Sequence, residues 1–181
     1  MRLITFRLLV LSLLSLAACG REENPPPAAE EVLAAMQAVM TRTAQPLPDG
    51  LLYRRTSSPG SPDYLTDTLF TALYGRAAEG LFREDGEGGM AAVGDGALFL
   101  SVAPYPCELA VFRCSDTDAI PTVVSLCRGR MDTVLKGFAG SPFEEAATGL
   151  VRVEGCFVLL IIAEDPRAVA EGAGAALGGL R

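Results

Sequence analysis

The pattern of apolar and polar residues after residue 28 first predicts an amphipathic helix. In residues 28–42, four apolar side chains recur at helical spacing and form one inward face, namely Val32, Met36, Val39 and Met40. Residues 44–50 contain two prolines and a glycine, which end this helix.

A second, shorter helix is predicted from an N-cap at residues 61–63 to a stop at Gly75. Its inward face is expected to consist of Leu65, Leu69, Ala72 and Leu73. The glycine-rich residues 83–96 that follow are predicted to form a solvated loop. Their acidic residues, among them Asp85, Glu87 and Asp95, do not have the spacing of a calcium-binding EF-hand loop.

The second half of the chain alternates more regularly between strand and helix patterns. Strands are predicted at 97–103, 107–114, 150–153 and 156–163, and helices at about 116–138 and from 165 onward. The last two strands form a hairpin around Glu154 and Gly155. Because every residue of 156–163 is apolar, that strand is expected at the centre of the sheet.

This order of elements predicts the fold class. It is β-β-α-β-β-α in the C-terminal half, preceded by two N-terminal helices, and it indicates an α+β fold with an antiparallel sheet and helices on one face. The inward face of the last helix is expected to consist of Val169, Ala173, Ala176 and Leu177. Gly172 and Gly174 are each expected to weaken that helix by about 1 kcal/mol relative to alanine.

The N-terminus has the pattern of a bacterial lipoprotein signal peptide. Two arginines precede an apolar run that is shorter than the ~20 residues of a membrane-spanning helix, and two alanines precede Cys19. The sequence LAAC at 16–19 matches the lipobox, in which the cysteine is lipidated and becomes the first mature residue. The predicted organisation is therefore a signal peptide at 1–18, a lipidated cysteine and tether at 19–28, and a single globular α+β domain at 29–181.

Lipidation of Cys19 predicts where the protein is located. Each buried methylene contributes ~0.8 kcal/mol, so two or more acyl chains hold a protein stably at a membrane. We expect an exported protein anchored to the outer face of the bacterial cytoplasmic membrane, or to an outer membrane in a diderm cell. An ordinary secretory signal with an accidental cysteine is the weaker alternative.

Charge and composition narrow the classes of function. Removal of the signal peptide takes away two arginines and changes the formal net charge from −7 to −9, and Lys136 is the one lysine of the chain. A nucleic-acid partner is therefore not expected. The absence of histidine excludes Ser-His, Cys-His and His-metal chemistry, and no cofactor or metal site is predicted.

Four cysteines remain besides Cys19, namely Cys107, Cys114, Cys127 and Cys156, and they allow three complete disulfide pairings. If 107–114 is a strand, its ends lie ~23 Å apart, far beyond the ~7 Å limit between bridged Cα atoms. A bond between Cys107 and Cys114 is thus excluded, and the other two pairings stay open. Buried free thiols are preferred over any disulfide.

Three stretches of the chain carry a resemblance to a known family. They are YG at 74–75, CELAVFRCSD at 107–116 and VRVEGCFVLLIIAEDP at 151–166, all downstream of the lipobox. Together they resemble the domain-of-unknown-function family 4358, a family of small bacterial lipoproteins. The resemblance is good over residues 97–178 and poor over 29–96. It implies a lipid-anchored location and the fold, and it implies no particular activity.

The sequence offers three candidate residues for contact with a partner. Tyr105 lies between two prolines in a predicted surface turn, and Glu108 and Arg113 flank the inward residues of the strand at 107–114. The alternative for Glu108 and Arg113 is an ordinary pair on the solvent side.

These observations favour a non-catalytic domain that binds an envelope protein or peptide. The alternatives are a small-ligand-binding or sensing lipoprotein and, less favoured, an envelope enzyme. No catalytic residue is assigned, and the oligomeric state is left open.

Overall fold

The computed structural model of the protein describes residues 25–82 and 91–178. In this part of the chain the helices and strands are α1 (Ala29–Arg42), β1 (Gly50–Arg54), α2 (Asp67–Tyr74), β2 (Val93–Ser101), β3 (Glu108–Cys114), α3 (Ile120–Gly137), β4 (Thr148–Glu154), β5 (Phe157–Ala163) and α4 (Pro166–Leu177). Two short 3₁₀ turns, Arg76–Ala78 and Thr117–Ala119, follow α2 and precede α3. The predicted signal peptide and Cys19 lie outside the described residues.

The five strands form one antiparallel sheet in the order β1-β2-β3-β5-β4. This confirms the α+β class and the β-β-α-β-β-α order of the C-terminal half. The all-apolar strand β5 is an interior strand with every residue buried, and the middle position of the sheet belongs to β3. The hairpin between β4 and β5 turns at Gly155, whose φ of 59° suits glycine.

The helices cover both faces of the sheet, so the expectation of helices on one face is wrong. Helices α1 and α4 pack on the face that carries Leu109, Val111 and Leu159. Helices α2 and α3 pack on the other face, with Phe112 and Leu160. Successive residues of a strand point to opposite faces, and in β3 and β5 both sets are apolar, so each face needs its own cover.

Strand β2 begins earlier than the sequence pattern predicted, at Val93, and it includes Asp95. The assignment of Asp95 to a solvated loop is therefore wrong, because its side chain is 5% exposed. One carboxylate oxygen accepts from the Ala29 N–H at 2.8 Å and the other from the Gly96 N–H at 2.8 Å. Asp95 thus satisfies a free N–H group in the first turn of α1, where its negative charge also complements the helix dipole.

The N-terminal segment before β2 differs from its prediction in two ways. Strand β1 was not predicted, because its five residues are only partly buried and lack a clear alternation. Helix α2 begins at Asp67, after Thr66 accepts a hydrogen bond from the Leu69 N–H at 3.0 Å. Its buried residues are Phe70 and Tyr74, and the predicted inward residue Ala72 is exposed.

The remaining helices follow their sequence patterns closely. In α1, the four residues predicted to point inward are all buried. In α4, Asp165 caps the first turn by accepting from the N–H groups of Arg167 and Ala168, both at 3.1 Å. Val169, Ala173 and Leu177 are buried as predicted, whereas Ala176 is exposed.

Arg54 ties α1 to the segment after β1. Its guanidinium contacts Glu30 of α1 and, at 2.7 Å, a carboxylate oxygen of Asp63. Hydrogen bonds from the hydroxyls of Ser61 and Ser57, and then from Arg54, hold the pKa of Asp63 well below its usual value. This cluster lies at the surface and stabilises a loop.

None of the helices in the described part of the chain is long and apolar enough to cross a membrane.

Candidate functional site

The most unusual group in the interior is the carboxylate of Glu108, the first residue of β3. Glu108 is 2% exposed, and its position on β3 directs the side chain to the sheet face that α2 and α3 cover. Buried carboxylates are rare in proteins unless a cation or several donors are paired with them. A buried charge of this kind marks a place to look for function.

The partner of Glu108 is Arg130, on the inward side of α3. Arg130 Nε lies 3.0 Å from both carboxylate oxygens, and Nη2 lies 2.7 Å from Oε2. Arg130 follows Cys127 by three residues, so it continues the buried stripe of the helix. This fork-shaped pairing satisfies both oxygens of the carboxylate and fixes the orientation of the guanidinium.

Tyr74, at the end of α2, completes the surroundings of the carboxylate. Its hydroxyl donates a long hydrogen bond of 3.4 Å to Oε1 of Glu108. Its ring packs edge-on against Phe112, with 5.4 Å between centroids, and lies 4.7 Å from the ring of Phe70. Burial, together with the negative charge of Glu108, raises the pKa of Tyr74 well above its usual value, so Tyr74 acts as a neutral donor.

Burial and pairing act in opposite directions on the ionisation of the pair. Burial raises the pKa of Glu108, and the hydrogen bonds and charge of Arg130 oppose that rise. For Arg130, burial lowers the pKa, but the Glu108 hydrogen bond and charge outweigh burial and raise it. Because the fork geometry requires both charges, the pair is ionised at neutral pH.

A cavity of about 300 Å³ lies beside this pair. Its walls are the loop between β2 and β3 and the last two turns of α3. The residues that line it include Ser101, Cys107, Thr133, Val134, Gly137 and Phe138, together with Glu108 and Arg130. A volume of this size is at the lower end of the range of small-molecule sites.

Tyr105 also lines this cavity, and it is not the exposed anchor that the sequence suggested. Its hydroxyl donates to the carbonyl oxygen of Ala146 at 2.8 Å. Its ring packs edge-on against Phe143, with centroids 6.0 Å apart. Tyr105 therefore ties the loop before β3 to the segment between α3 and β4, and it shapes one wall of the cavity.

The expectation that Glu108 and Arg113 form one polar edge or one solvent-side pair is wrong. They are five residues apart on β3, so the two-residue alternation of a strand directs them to opposite faces. Arg113 stands opposite Asp95 on β2 and Phe157 on β5, on the side of α1 and α4. The structure brings Glu108 and Tyr105 to one site and leaves Arg113 elsewhere.

All four cysteines in the described part of the chain are free. Cys107, which lines the cavity, is buried, and burial raises its pKa to about 12. Burial also raises the pKa of Cys114 to about 11. Cys107 therefore presents a neutral thiol to the cavity at physiological pH.

The sequence interpretation missed Arg130 and Tyr74, although each left a detectable signal. Arg130 falls on the apolar stripe of α3, where a charged residue needs a buried partner. Tyr74 occupies the same helix face as Phe70, one turn later. Neither signal identifies Glu108 as the partner, because the three residues come together only through the packing of three elements.

Within residues 25–82 and 91–178, no group of three or more cysteine, aspartate or glutamate side chains is arranged to hold a metal ion. Comparisons with protein-family models, with curated proteins and with solved structures give no match to this chain. The resemblance to the domain-of-unknown-function family 4358 stays a prediction, and the case for a function depends on the site itself.

Proposed function

We propose that this protein is a lipid-anchored extracytoplasmic binding domain, and that the cavity beside Glu108 and Arg130 is its ligand site. The lipobox at residues 16–19 supports the anchor, with Cys19 as the attachment point. The single observation that supports the binding site is a buried carboxylate, Glu108, paired with a partly exposed Arg130 in the wall of an open cavity. Paired charges of this kind orient a ligand by fixed hydrogen-bond geometry.

The role that we propose is non-catalytic. Glu108 is held by Arg130 and Tyr74, so it is not free to accept a proton from a substrate. Cys107 carries a thiol whose pKa is about 12, which makes it a poor nucleophile at neutral pH. The polar groups of the site are suited to holding a ligand in place.

Binding at the cavity is tested by adding isopropanol as a probe and measuring the shifts of the amide signals by nuclear magnetic resonance (NMR). We expect the largest shifts at residues that line the cavity. Gly137 lines the cavity, and a Cβ added there has no neighbouring atom within 4 Å outside its own helix, so we expect G137F to be tolerated and its ring to obstruct the probe. The matched control is G129F, on the same helix with equally open space and outside the cavity.

The two variants distinguish binding in the cavity from non-specific contact of isopropanol with the surface. Loss of the isopropanol shifts in G137F and their persistence in G129F would support the proposal. Shifts scattered over the surface, or equal in both variants, would overturn it.

The anchor is tested by growth of a bacterial host with an alkyne-bearing fatty acid. The wild-type protein should take up the label and fractionate with membranes, and C19S should do neither. C156S is the matched control and should behave as wild type, because Cys156 lies within the domain. An unlabelled wild-type protein with an unmodified Cys19 would refute the lipid anchor.

A second candidate function, binding of an extended peptide, is favoured by the outer edge of β1. The N–H and carbonyl of Arg54 point away from β2 toward residues 63–65, so those of Leu52 point the same way. In the described part of the chain no strand pairs with β1 there apart from the short contact at Arg54. Leu51, on β1 itself, is 49% exposed.

Such an edge suits addition of a peptide as a further strand. A photo-cross-linking residue at position 51 should capture one defined peptide segment, and the same residue at position 171, on exposed α4 surface, should not. Equal yields at the two positions would rule this candidate out.

A further inference from the structure

The charge balance of the cavity beside Glu108 and Arg130 indicates the chemical class of its ligand. This inference rests on the proposed function, because it takes the cavity to be a binding site. Apart from Glu108 and Arg130, the cavity is lined by residues without an ionised side chain. The thiol of Cys107 is neutral, since burial raises its pKa to about 12.

The single cation of the cavity is already neutralised. Arg130 uses Nε and Nη2 for Glu108, at 2.7 to 3.0 Å, so the pair has no net charge. An anionic ligand would gain little Coulomb energy there, and it would also approach a protein that is acidic overall. A cationic ligand would find no free carboxylate, because both oxygens of Glu108 accept from Arg130.

Arg130 nevertheless keeps N–H donors that Glu108 does not use. Within residues 25–82 and 91–178, Nη1 of Arg130 has no protein acceptor, while the side chain is 19% exposed and lines the cavity. A guanidinium N–H that is not paired with protein is satisfied by a carbonyl oxygen or by water. A neutral ligand with a carbonyl group is therefore the best match for Arg130.

The wall of α3 offers a complementary acceptor. Thr133 lines the cavity, and its hydroxyl donates to the Gly129 carbonyl at 2.9 Å, which leaves the oxygen available as an acceptor. Val134 and Phe138, from the same two turns, add apolar surface. The cavity thus combines a donor, an acceptor and apolar walls without net charge.

We propose that this cavity binds a small uncharged amide, whose carbonyl oxygen accepts from Arg130 and whose N–H donates to Thr133. Three derivatives of leucine test the charge preference. They are N-acetyl-leucine amide, which is neutral, N-acetyl-leucine, which is an anion, and leucine amide, which is a cation at about pH 6.

Amide NMR titration of the full chain should show saturable shifts at cavity residues for the neutral probe. Binding of the two charged probes should be at least about tenfold weaker, since each must bring an unpaired charge out of water. T133V should lower the affinity for the neutral probe by about two- to tenfold, which is the effect of one lost hydrogen bond. The matched control T122V, on exposed α3 surface away from the cavity, should leave its affinity unchanged.

E108Q supplies a readout that a merely structural role would not give. It leaves the charge of Arg130 uncompensated, so the anionic probe should gain affinity relative to the neutral one. Tightest binding of N-acetyl-leucine to the wild type would overturn this inference and leave the proposed binding site standing. Absence of cavity shifts for all three probes would overturn both, and equal effects of T133V and T122V would remove Thr133 from the site.

Discussion

The packing of α1 against α4 allows one stability prediction to be worked out in detail. Gly172 of α4 faces Val39 of α1, and a Cβ added at Gly172 would overlap Cγ2 of Val39 and lie 3.2 Å from its Cβ. Val39 is 4% exposed, and its branched side chain has little rotational freedom in a helix. Gly172→Ala therefore forces the two helices apart or forces Val39 into an unfavourable rotamer.

The expected magnitude is the difference between two opposing effects. Alanine stabilises a helix interior by about 1 kcal/mol relative to glycine. Overpacking of a well-packed interface costs about 1–3 kcal/mol. We expect G172A to lower the free energy of unfolding by up to about 2 kcal/mol, which corresponds to a fall in Tm of about 2–4 °C per kcal/mol for a chain of this size.

Gly174 supplies the matched control on the same helix. A Cβ there would lie 3.8 Å from Nη2 of Arg152 and 3.9 Å from Oε1 of Glu154, which are ordinary van der Waals contacts. G174A should therefore stabilise the protein by up to about 1 kcal/mol through helix propensity. The sequence pattern treats the two glycines alike, and only the packing distinguishes them.

The assay is urea unfolding followed by far-ultraviolet circular dichroism, because the chain has no tryptophan for fluorescence. The double variant V39A/G172A tests the assigned contact, since removal of the two methyl groups of Val39 makes room for the new Cβ. Its loss should be smaller than the sum of the two single losses by at least about 1 kcal/mol. Equal stabilisation by G172A and G174A, or strict additivity with V39A, would refute the reasoning.

Three further predictions concern charges and thiols. R130M leaves Glu108 buried without its counter-charge and should lower the free energy of unfolding by about 3–5 kcal/mol. The double variant E108L/R130M replaces the ion pair by an apolar pair and should recover most of that loss in the same unfolding assay. Equal losses in R130M and E108L/R130M would mean that the two side chains are not coupled. Iodoacetamide should label Cys156 first, because Cys156 is half-buried while Cys107 is buried with a thiol pKa of about 12; peptide mapping by mass spectrometry that finds Cys107 labelled first would contradict this. Hydrogen bonds from two serine hydroxyls and then from a guanidinium lower the pKa of Asp63, so the stabilisation by its carboxylate is present above about pH 4 and is lost as the pH falls toward the lowered pKa. The difference in unfolding free energy between the wild type and D63N should therefore shrink on acidification. A difference that does not change with pH would show that the carboxylate is not responsible.

Local signals predicted most of the C-terminal half correctly. The start of α4 follows from Asp165 and the proline after it, and the β4–β5 hairpin follows from Gly155 between two apolar runs. These features depend on residues within one or two turns of each other, and such short-range interactions can be read directly from sequence. Strand β1 and the true inward face of α2 were missed, because short, half-buried elements have weak periodicity.

The candidate site was predicted only in part. Glu108 and Tyr105 were singled out as exposed contacts, and both instead have specific partners. The partner of Glu108 is 22 residues away on α3, and Tyr74 is 34 residues away on α2. A pattern in one segment does not reveal a partner that arrives from another.

The sequence by itself determined the helix and strand identities of the second half and the antiparallel α+β class, because each depends on neighbouring residues. Only the tertiary structure decided that helices cover both faces of the sheet, that Asp95 holds the start of α1, and that Glu108, Arg130 and Tyr74 meet beside a cavity. The physical reason is that the alternation along a strand and the faces of a helix specify which side chains point inward. Which of these buried side chains contact one another is decided by how whole strands and helices pack.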